Sequence, residues 1–337
     1  MNIFIYTIYT FMSLYEPHNI LITGGCGFIA SHFINYIYDK LPNINIINID
    51  AMYYCANVEN IKKSIRYSNR YKFIKGNICS QDLVYHILEE HNIDTIMHFA
   101  AQSHVDNSFS NPIQYTKDNV LGTHTLLECS RKFKKIKRFV HVSTDEVYGE
   151  SMLMDTKKDE QSILCPTNPY AATKAAAELI AKAYYFSYKL PIIITRGNNV
   201  YGPRQYPEKV IPKFLELLQM NERLTIHGNG LNIRSFLYVD DVSSAFEIVL
   251  LQGIIGEIYN IGSNDSDECT ILDLAKLIIK LVKNSDKYEE WVEYVDDRLF
   301  NDKRYYISND KIKKLGWTIK TSLYDGLIKT IDSTSYT

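Results

Sequence analysis

Charge of either sign is not in excess in this 337-residue chain. It carries 37 Lys and Arg against 39 Asp and Glu, a formal net charge of −2. Electrostatics therefore gives no reason to expect nucleic acid or an anionic membrane as partner. The densest basic run, "KFKKIKR" at 132–138, lies between a helical pattern and a strand and reads as a solvated helix end and turn. Paired cysteines are lacking too. The six, at 26, 55, 79, 129, 165 and 269, show no C-x-x-C pair and no metal-ligand spacing. Several lie in apolar runs, where Cys packs as a small hydrophobe, so a metal site is not expected and a reducing cytoplasmic setting without disulfides is. No internal repeat or low-complexity linker is visible. The apolar start "MNIFIYTIYTFMSLY" lacks a basic n-region and a small-residue cleavage site, and is too short to span a bilayer. Residues 1–17 are expected to form a loosely attached extension, with Met12 able to serve as the working start and the fold proper beginning near His18.

What is present is an ordinary globular balance, 46% hydrophobic and 23% charged, over a length that suits one large α/β domain or two smaller ones. Short β-branched runs recur at "NILIT" (19–23), "NINIINID" (43–50), "YKFIKG" (71–76), "TIMHFA" (95–100), "RFVHVS" (138–143) and "PIIITR" (191–196). They are mostly apolar, as strands covered on both faces must be. Helical spacing lies between them, as in Phe28, Ile29, Phe33, Ile37 and Leu41. Strand and helix in alternation predict a doubly wound, parallel Rossmann-type sheet over 18–196. Beyond about 197 the prolines and glycines of "YGPRQYPEKVIP" and "HGNG" separate helices near 211–220, 240–251 and 270–283. A smaller C-terminal lobe over 197–337, mainly for substrate, is expected there.

The first strand runs into "ITGGCGFIA", where Gly24, Gly27 and Ala30 occupy the three positions of G-x-x-G-x-x-G/A. The first two allow a tight turn and close backbone approach to a pyrophosphate, which the following helix N-terminus favours. Asp50 ends the second strand twenty residues past Ala30. A carboxylate there accepts hydrogen bonds from ribose hydroxyls and repels a 2′-phosphate, and no Arg or Lys follows in "DAMYY"; NAD is expected rather than NADP.

Two further groups carry chemistry. "NPYAATKAAAELI" sets Tyr170 and Lys174 four residues apart on one helix face, where a nearby ammonium would stabilise a phenolate whose reference pKa is about 10. "FVHVSTDEVYGE" places Asp145 beside Glu146 where a buried strand runs out. Such a pair is either a surface turn or an acid and a base for one substrate.

Together, the glycine turn, the Tyr–Lys pair and "STDEVYG" resemble the extended short-chain dehydrogenase/reductase family, and within it the nucleotide-sugar 4,6-dehydratases. "HFAAQSHVDNS", "TRGNNVYGPRQYPEKVIPKF" and "NDKRYYISNDKIKKLGW" are most similar to the UDP-glucose 4,6-dehydratases, with the dTDP-glucose enzymes next; the likeness runs from about 18 to 330. The resemblance implies a lyase in which Tyr170 takes the C4 hydroxyl proton, Thr144 bonds that hydroxyl, Glu146 removes the C5 proton and Asp145 protonates the departing C6 oxygen. It further implies cofactor contacts at Gly24, Gly27, Phe28, Ile29, Asp50, Ala51, Met52, Tyr53, Asn77, Ile78, Phe99, Ala100, Ala101, Gln102, Ser103, Tyr170, Lys174 and Val200. The sugar nucleotide is implied to meet Ser103, Thr144, Asn199, Lys209, Val210, Thr225, Ile226, His227, Arg234, Asp297, Arg298 and Asn301, the two arginines suiting a diphosphate. A homodimer through helices near 118–133 and 169–188 is part of the same expectation.

Departures from the family pattern are Asn77 in place of an Asp that contacts adenine, and Leu299 in place of a Pro beside Arg298. Cys269 stands where some relatives have an Asn contact, which is not carried over. His98, His104 and His141 flank strand ends and read as packing or supporting residues. The competing readings are dTDP-glucose as substrate, a C4 epimerase, which has no need of Asp145 and Glu146, and a catalytically silent NAD-binding protein.

Overall fold

The computed structural model describes residues 14–297 and 301–334. Its centre is a seven-stranded parallel sheet in the order β10-β6-β5-β4-β1-β2-β3. Six of these strands are the runs expected from sequence: β1 Asn19–Thr23, β2 Asn45–Asp50, β3 Tyr71–Lys75, β4 Thr95–His98, β5 Arg138–Thr144 and β6 Ile192–Gly197. Alternation along them sorts the core. Ile20 and Ile22 face one side with Phe33, Ile34, Val242 and Phe246, whereas Leu21 faces the other with Val84, Leu126 and Phe139. The helices Phe28–Lys40 and Val239–Gln252 cover the first face. Gln81–Glu90, Gly122–Phe133 and Pro169–Tyr188 cover the second.

The sheet order reverses between β1 and β4, the switch point at which doubly wound sheets open a crevice beyond their carboxyl ends. Asp50, His98 and Thr144 end β2, β4 and β5 on that edge, whereas His141, read as flanking a strand end, lies in the middle of β5.

The chain beyond 196 builds more than a lobe. It returns β10, Ile258–Ile261, to the far edge of the large sheet, parallel to β6, and supplies the covering helix Val239–Gln252. The remainder forms a separate core around Phe214, Leu218, Ile226, Leu274 and Ile278. Its strands are β7 Asn199–Tyr201, β8 Leu224–His227, β9 Ile233–Tyr238, β11 Glu268–Thr270 and β12 Val292–Val295, arranged as β11-β9-β7 and β12-β8.

Residues 1–13 of the expected extension lie outside the described residues. Its end is attached, contrary to the boundary placed near His18. The Tyr15 backbone N–H donates to the Leu251 carbonyl at 2.9 Å, its hydroxyl bonds Thr95 at 2.7 Å, and the Arg138 guanidinium lies 4.3 Å from its ring centre. All six cysteines are free. Among the described residues no helix is long and apolar enough to cross a membrane, and no cluster of His, Cys, Asp and Glu could hold a metal ion.

Candidate active site

A cleft of about 350 Å³ runs along the carboxyl edge of the sheet, from the glycine turn to the end of β5 and across to the lobe. At its first end Gly24 has φ +71°, and a Cβ there would stand 2.8 Å from the Ala100 Cα. No side chain can occupy that position without moving the β4 end, which is the close backbone approach the motif requires. Gly25, which the spacing did not single out, is crowded by a side chain rather than by backbone. The Asn48 Oδ1 accepts its N–H at 3.0 Å, and an added Cβ would come within 2.2 Å of that oxygen. Asn48 on β2 thus holds the turn from beneath.

Asp50 is buried at the end of β2, where its two oxygens accept the Cys26 N–H at 2.9 Å and the Met52 N–H at 2.8 Å. Burial pushes its carboxyl above the usual range, and the two backbone donors oppose that rise. Each oxygen keeps acceptor capacity for a ribose hydroxyl. Ala51, Tyr53, Asn77, Ile78 and the run Phe99–Ser103 line the same stretch of cleft, together with Phe28, Ile29 and Val200. Met52 does not line it; at φ 58° it turns the chain and gives its N–H to Asp50. The Asn77 amide is occupied locally, its Oδ1 accepting from Cys79 N–H at 2.8 Å and its Nδ2 donating to the Tyr53 hydroxyl at 3.1 Å. A side-chain-free turn, a carboxylate at the ribose position and a partly apolar trough beyond it fit a dinucleotide.

Thr144 closes β5, and Asp145 and Glu146 open the short 3₁₀ turn Asp145–Tyr148 that follows. Being consecutive in a tight turn, the two carboxylates point to different partners. The Thr144 hydroxyl donates to Asp145 Oδ1 at 3.1 Å, and Asn198 Nδ2 donates to Oδ2 at 2.6 Å. Asp145 is only 3% exposed, and burial, then the charge of Glu146, pushes its pKa up to about 7. Glu146 is raised by burial, against the Asn168 amide, which donates to its Oε2 at 3.0 Å, and the charges of Lys209 and Arg234. Tyr305 also approaches that oxygen, at 3.4 Å. The two acids therefore sit in unlike environments, the arrangement that lets neighbours act as acid and base.

Pro169 at the first helical position and Asn168 as cap start the helix Pro169–Tyr188, which brings Tyr170 and Lys174 beneath the end of β5. Tyr170 is held above its ordinary pKa by burial and then by Glu146, with a hydrogen bond to Thr144 opposing. Burial lowers Lys174 to about 8, and its ammonium donates to the Val142 carbonyl at 2.7 Å. Relief for the phenol thus comes from Thr144 in this arrangement, rather than from the ammonium expected of the i, i+4 pair.

Toward the lobe, Asn199, Lys209 and Val210 line the cleft, and Lys209 Nζ donates to the Ser103 carbonyl at 2.7 Å, tying lobe to sheet. Arg234 on β9 donates to Asn301 Oδ1 at 3.1 Å, and Asn301 to Asp297 Oδ1 at 2.9 Å, so three residues expected at the sugar nucleotide meet each other. Arg298 and Leu299 lie outside the described residues. Thr225 and His227 share one face of β8, with the Thr225 hydroxyl and His227 Nδ1 buried and unpartnered, while Ile226 between them is sealed in the lobe core. Only its backbone is available to a ligand. His98 and His141 are buried in the sheet; His98 bonds Thr23 and Thr123 through its two nitrogens, and burial lowers it to about 3.

Besides Asn48 and Tyr305, four more site residues escaped sequence reading. Asn198 and Asn168 hold the acid pair, Asp302 accepts from the Tyr305 hydroxyl, and Asn119 bonds both the N–H and carbonyl of Gln102 along the cleft wall. Only Asn168, an Asn directly before a Pro at a helix start, carried a local signal.

The sequence matches the family described as GDP-mannose 4,6 dehydratase over residues 21–330. It is 52% identical over 327 residues to a trifunctional UDP-glucose 4,6-dehydratase, 3,5-epimerase and 4-keto-reductase of Arabidopsis thaliana, covering 95% of this chain and 47% of that protein. The chain thus spans about half the length of that relative. It is 49% identical to the dTDP-D-glucose 4,6-dehydratase of Bos taurus over 316 residues, 93% of this chain and 87% of the other. Among solved structures, the dTDP-glucose 4,6-dehydratase of Bacillus anthracis in complex with NAD superposes with a TM-score of 0.86 at 40% identity, covering 95% of this chain and 97% of that one.

Proposed function

This chain belongs to the GDP-mannose 4,6 dehydratase family, and from that premise we propose that it is an NAD-dependent hydro-lyase that converts UDP-glucose to its 4-keto-6-deoxy derivative. The observation that carries the reading is the Asp145–Glu146 pair, two adjacent carboxyls of which one has a pKa of about 7 and the other an amide donor on its carboxylate. An epimerase of the same fold has no step for a second acid and base.

Gly24, Gly27, Asp50 and the Phe99–Ser103 run would hold NAD, which when bound supplies the temporary store for the C4 hydride that is returned at C6. Tyr170 accepts the C4 hydroxyl proton, with Thr144 bonding the same oxygen. The C4 ketone acidifies the C5 hydrogen, which Glu146 removes as a carboxylate. Asp145, whose pKa burial raises to about 7, delivers its proton to the C6 oxygen as water leaves. Lys209 and Arg234 supply positive charge on the diphosphate side. Motifs shared with UDP-glucose dehydratases support uridine as the base; the bovine and bacterial relatives make dTDP-glucose the second reading. The enzyme would work in the cytoplasm as a homodimer through Gly122–Phe133 and Pro169–Tyr188, the second of which leaves Leu179, Phe186 and Tyr188 more than half exposed. Incubation of the protein with UDP-glucose and dTDP-glucose side by side, scored for 4-keto-6-deoxy product, tests the reading. Product from neither would refute it, and faster turnover of dTDP-glucose would replace the base.

A further inference from the structure

We infer that Asn168 is a positioning residue for the C5-proton step, fixing Glu146 relative to the helix that carries Tyr170: one end of its amide holds Glu146 and the other holds the first turn of that helix. The inference rests on the dehydratase reading for its chemistry, and on two hydrogen bonds for its geometry. Asn168 Oδ1 accepts the Ala171 N–H at 2.8 Å and so caps the helix that begins with Pro169 and Tyr170. Its Nδ2 donates to Glu146 Oε2 at 3.0 Å. Asn168 is 6% exposed, and both partners are fixed by type: a helix N–H can only donate and a carboxylate can only accept. The amide orientation follows without ambiguity.

A cap alone would not select Asn. Asp, Ser and Asn serve that position about equally well, but of these only Asn presents a donor on its second arm. Asp there would set a second anion against Glu146, and Ser would leave the carboxylate without its amide. Glu146 is otherwise faced by Asp145, Tyr170, Tyr305 and Asp302, and by the charges of Lys209 and Arg234. The nearby carboxyls disfavour its ionised form, and the cations sit where a diphosphate would draw on them. Two hydrogen bonds in this set need no substrate, and the Asn168 amide at 3.0 Å is the shorter; the Tyr305 hydroxyl stands at 3.4 Å.

Removing that donor raises the pKa of Glu146, and dehydration needs Glu146 ionised. The acid limb of the dehydration profile must therefore move to higher pH in Asn168→Ser, and further in Asn168→Asp, while both variants keep the helix cap. We expect kcat for dehydration to fall about tenfold in Asn168→Ser with KM within about twofold, as for loss of one hydrogen bond to a charged group. C4 oxidation, read as bound reduced cofactor in a single turnover, should persist. Asn168→Ala, losing cap and donor together, should also melt lower. A residue that merely caps would leave Ser and Asp variants at the wild-type rate and pH profile, and that result overturns the inference. The titration of Glu146 in the resting protein, followed by carboxyl ¹³C NMR with Glu146→Gln to assign the signal, separates the two levels. Equal midpoints in wild type, Asn168→Ser and Asn168→Asp overturn the positioning role even if sugar is dehydrated. Midpoints that rise in the order given uphold it, and a wild type that then yields no 4-keto product refutes the dehydratase reading alone.

Discussion

Asp145→Asn should make the protein more stable at alkaline pH and nearly useless as a dehydratase. Asp145 is 3% exposed, and its pKa stands at about 7 against a usual 3.8. A carboxyl raised in the folded state binds protons there that the unfolded chain has released, so stability falls as pH rises between these two values. Below about 4 both states are protonated and the penalty vanishes; above about 7 it is complete. At about 1.4 kcal/mol per unit the penalty reaches roughly 4 kcal/mol. Asparagine removes it while keeping the shape. Its carbonyl can still accept from Asn198, and its NH₂ can donate to the Thr144 hydroxyl, which reverses its role. The hydrogen bonds from Asn198 and Thr144 to the carboxylate already oppose the rise and are contained in it. The expected gain is therefore roughly 4 kcal/mol above pH 7, shrinking toward zero near pH 4. Urea melts of wild type and variant at three pH values spanning this range read it directly. A gain that is absent at pH 8, or that grows as pH falls, refutes the claim that Asp145 is held protonated by its surroundings.

Other outcomes follow from the cofactor end. Asp50 should give NAD a preference over NADP of roughly a hundredfold or more, because a 2′-phosphate would face an uncompensated carboxylate. Equal binding of the two by calorimetry would count against that role. Gly25→Ala drives a methyl into Asn48 Oδ1, so NAD affinity should drop by about tenfold or more, with partial recovery in the Gly25→Ala, Asn48→Gly double variant. Unchanged affinity in the single variant would show that Asn48 does not hold the turn. Lys174→Met removes a buried ammonium from the Val142 carbonyl and leaves the Thr144 bond to Tyr170 in place, so C4 oxidation should fall less than in Tyr170→Phe; equal loss in the two variants would show that the ammonium serves the phenol directly.

The large sheet was readable because its strands are buried on both faces and so appear as unbroken β-branched runs. β10 escaped notice: "IYNI" is four residues long and lies sixty residues beyond the strand it pairs with, where local pattern carries no information about partners. Chemistry carried by spacing, such as Gly24–Gly27 or Tyr170–Lys174, was legible for the same reason as the strands: both groups sit within one turn and one helix. What tunes that chemistry was not. Asn198 reaches Asp145 across 53 positions and Asn119 reaches Thr173 across 54, contacts that only the assembled fold creates. The ion pair of Arg196 with Glu178, 1% and 0% exposed, is of this kind as well; the strand reading ended at Arg196 without suggesting that it is buried.

The division of labour between Tyr170 and the carboxyl pair is tested most directly by one turnover of UDP-glucose in deuterated water, run on wild type, Glu146→Gln and Tyr170→Phe. The wild type should place deuterium at C5 of the 4-keto-6-deoxy product, since the proton restored there comes from solvent. Glu146→Gln should lose product by roughly a hundredfold or more, the usual worth of a positioned base, while the absorbance of bound reduced cofactor still appears. Tyr170→Phe should lose both signals. Full dehydration by Glu146→Gln, or product without solvent deuterium at C5, would show that the two carboxyls at the end of β5 are no more than a turn.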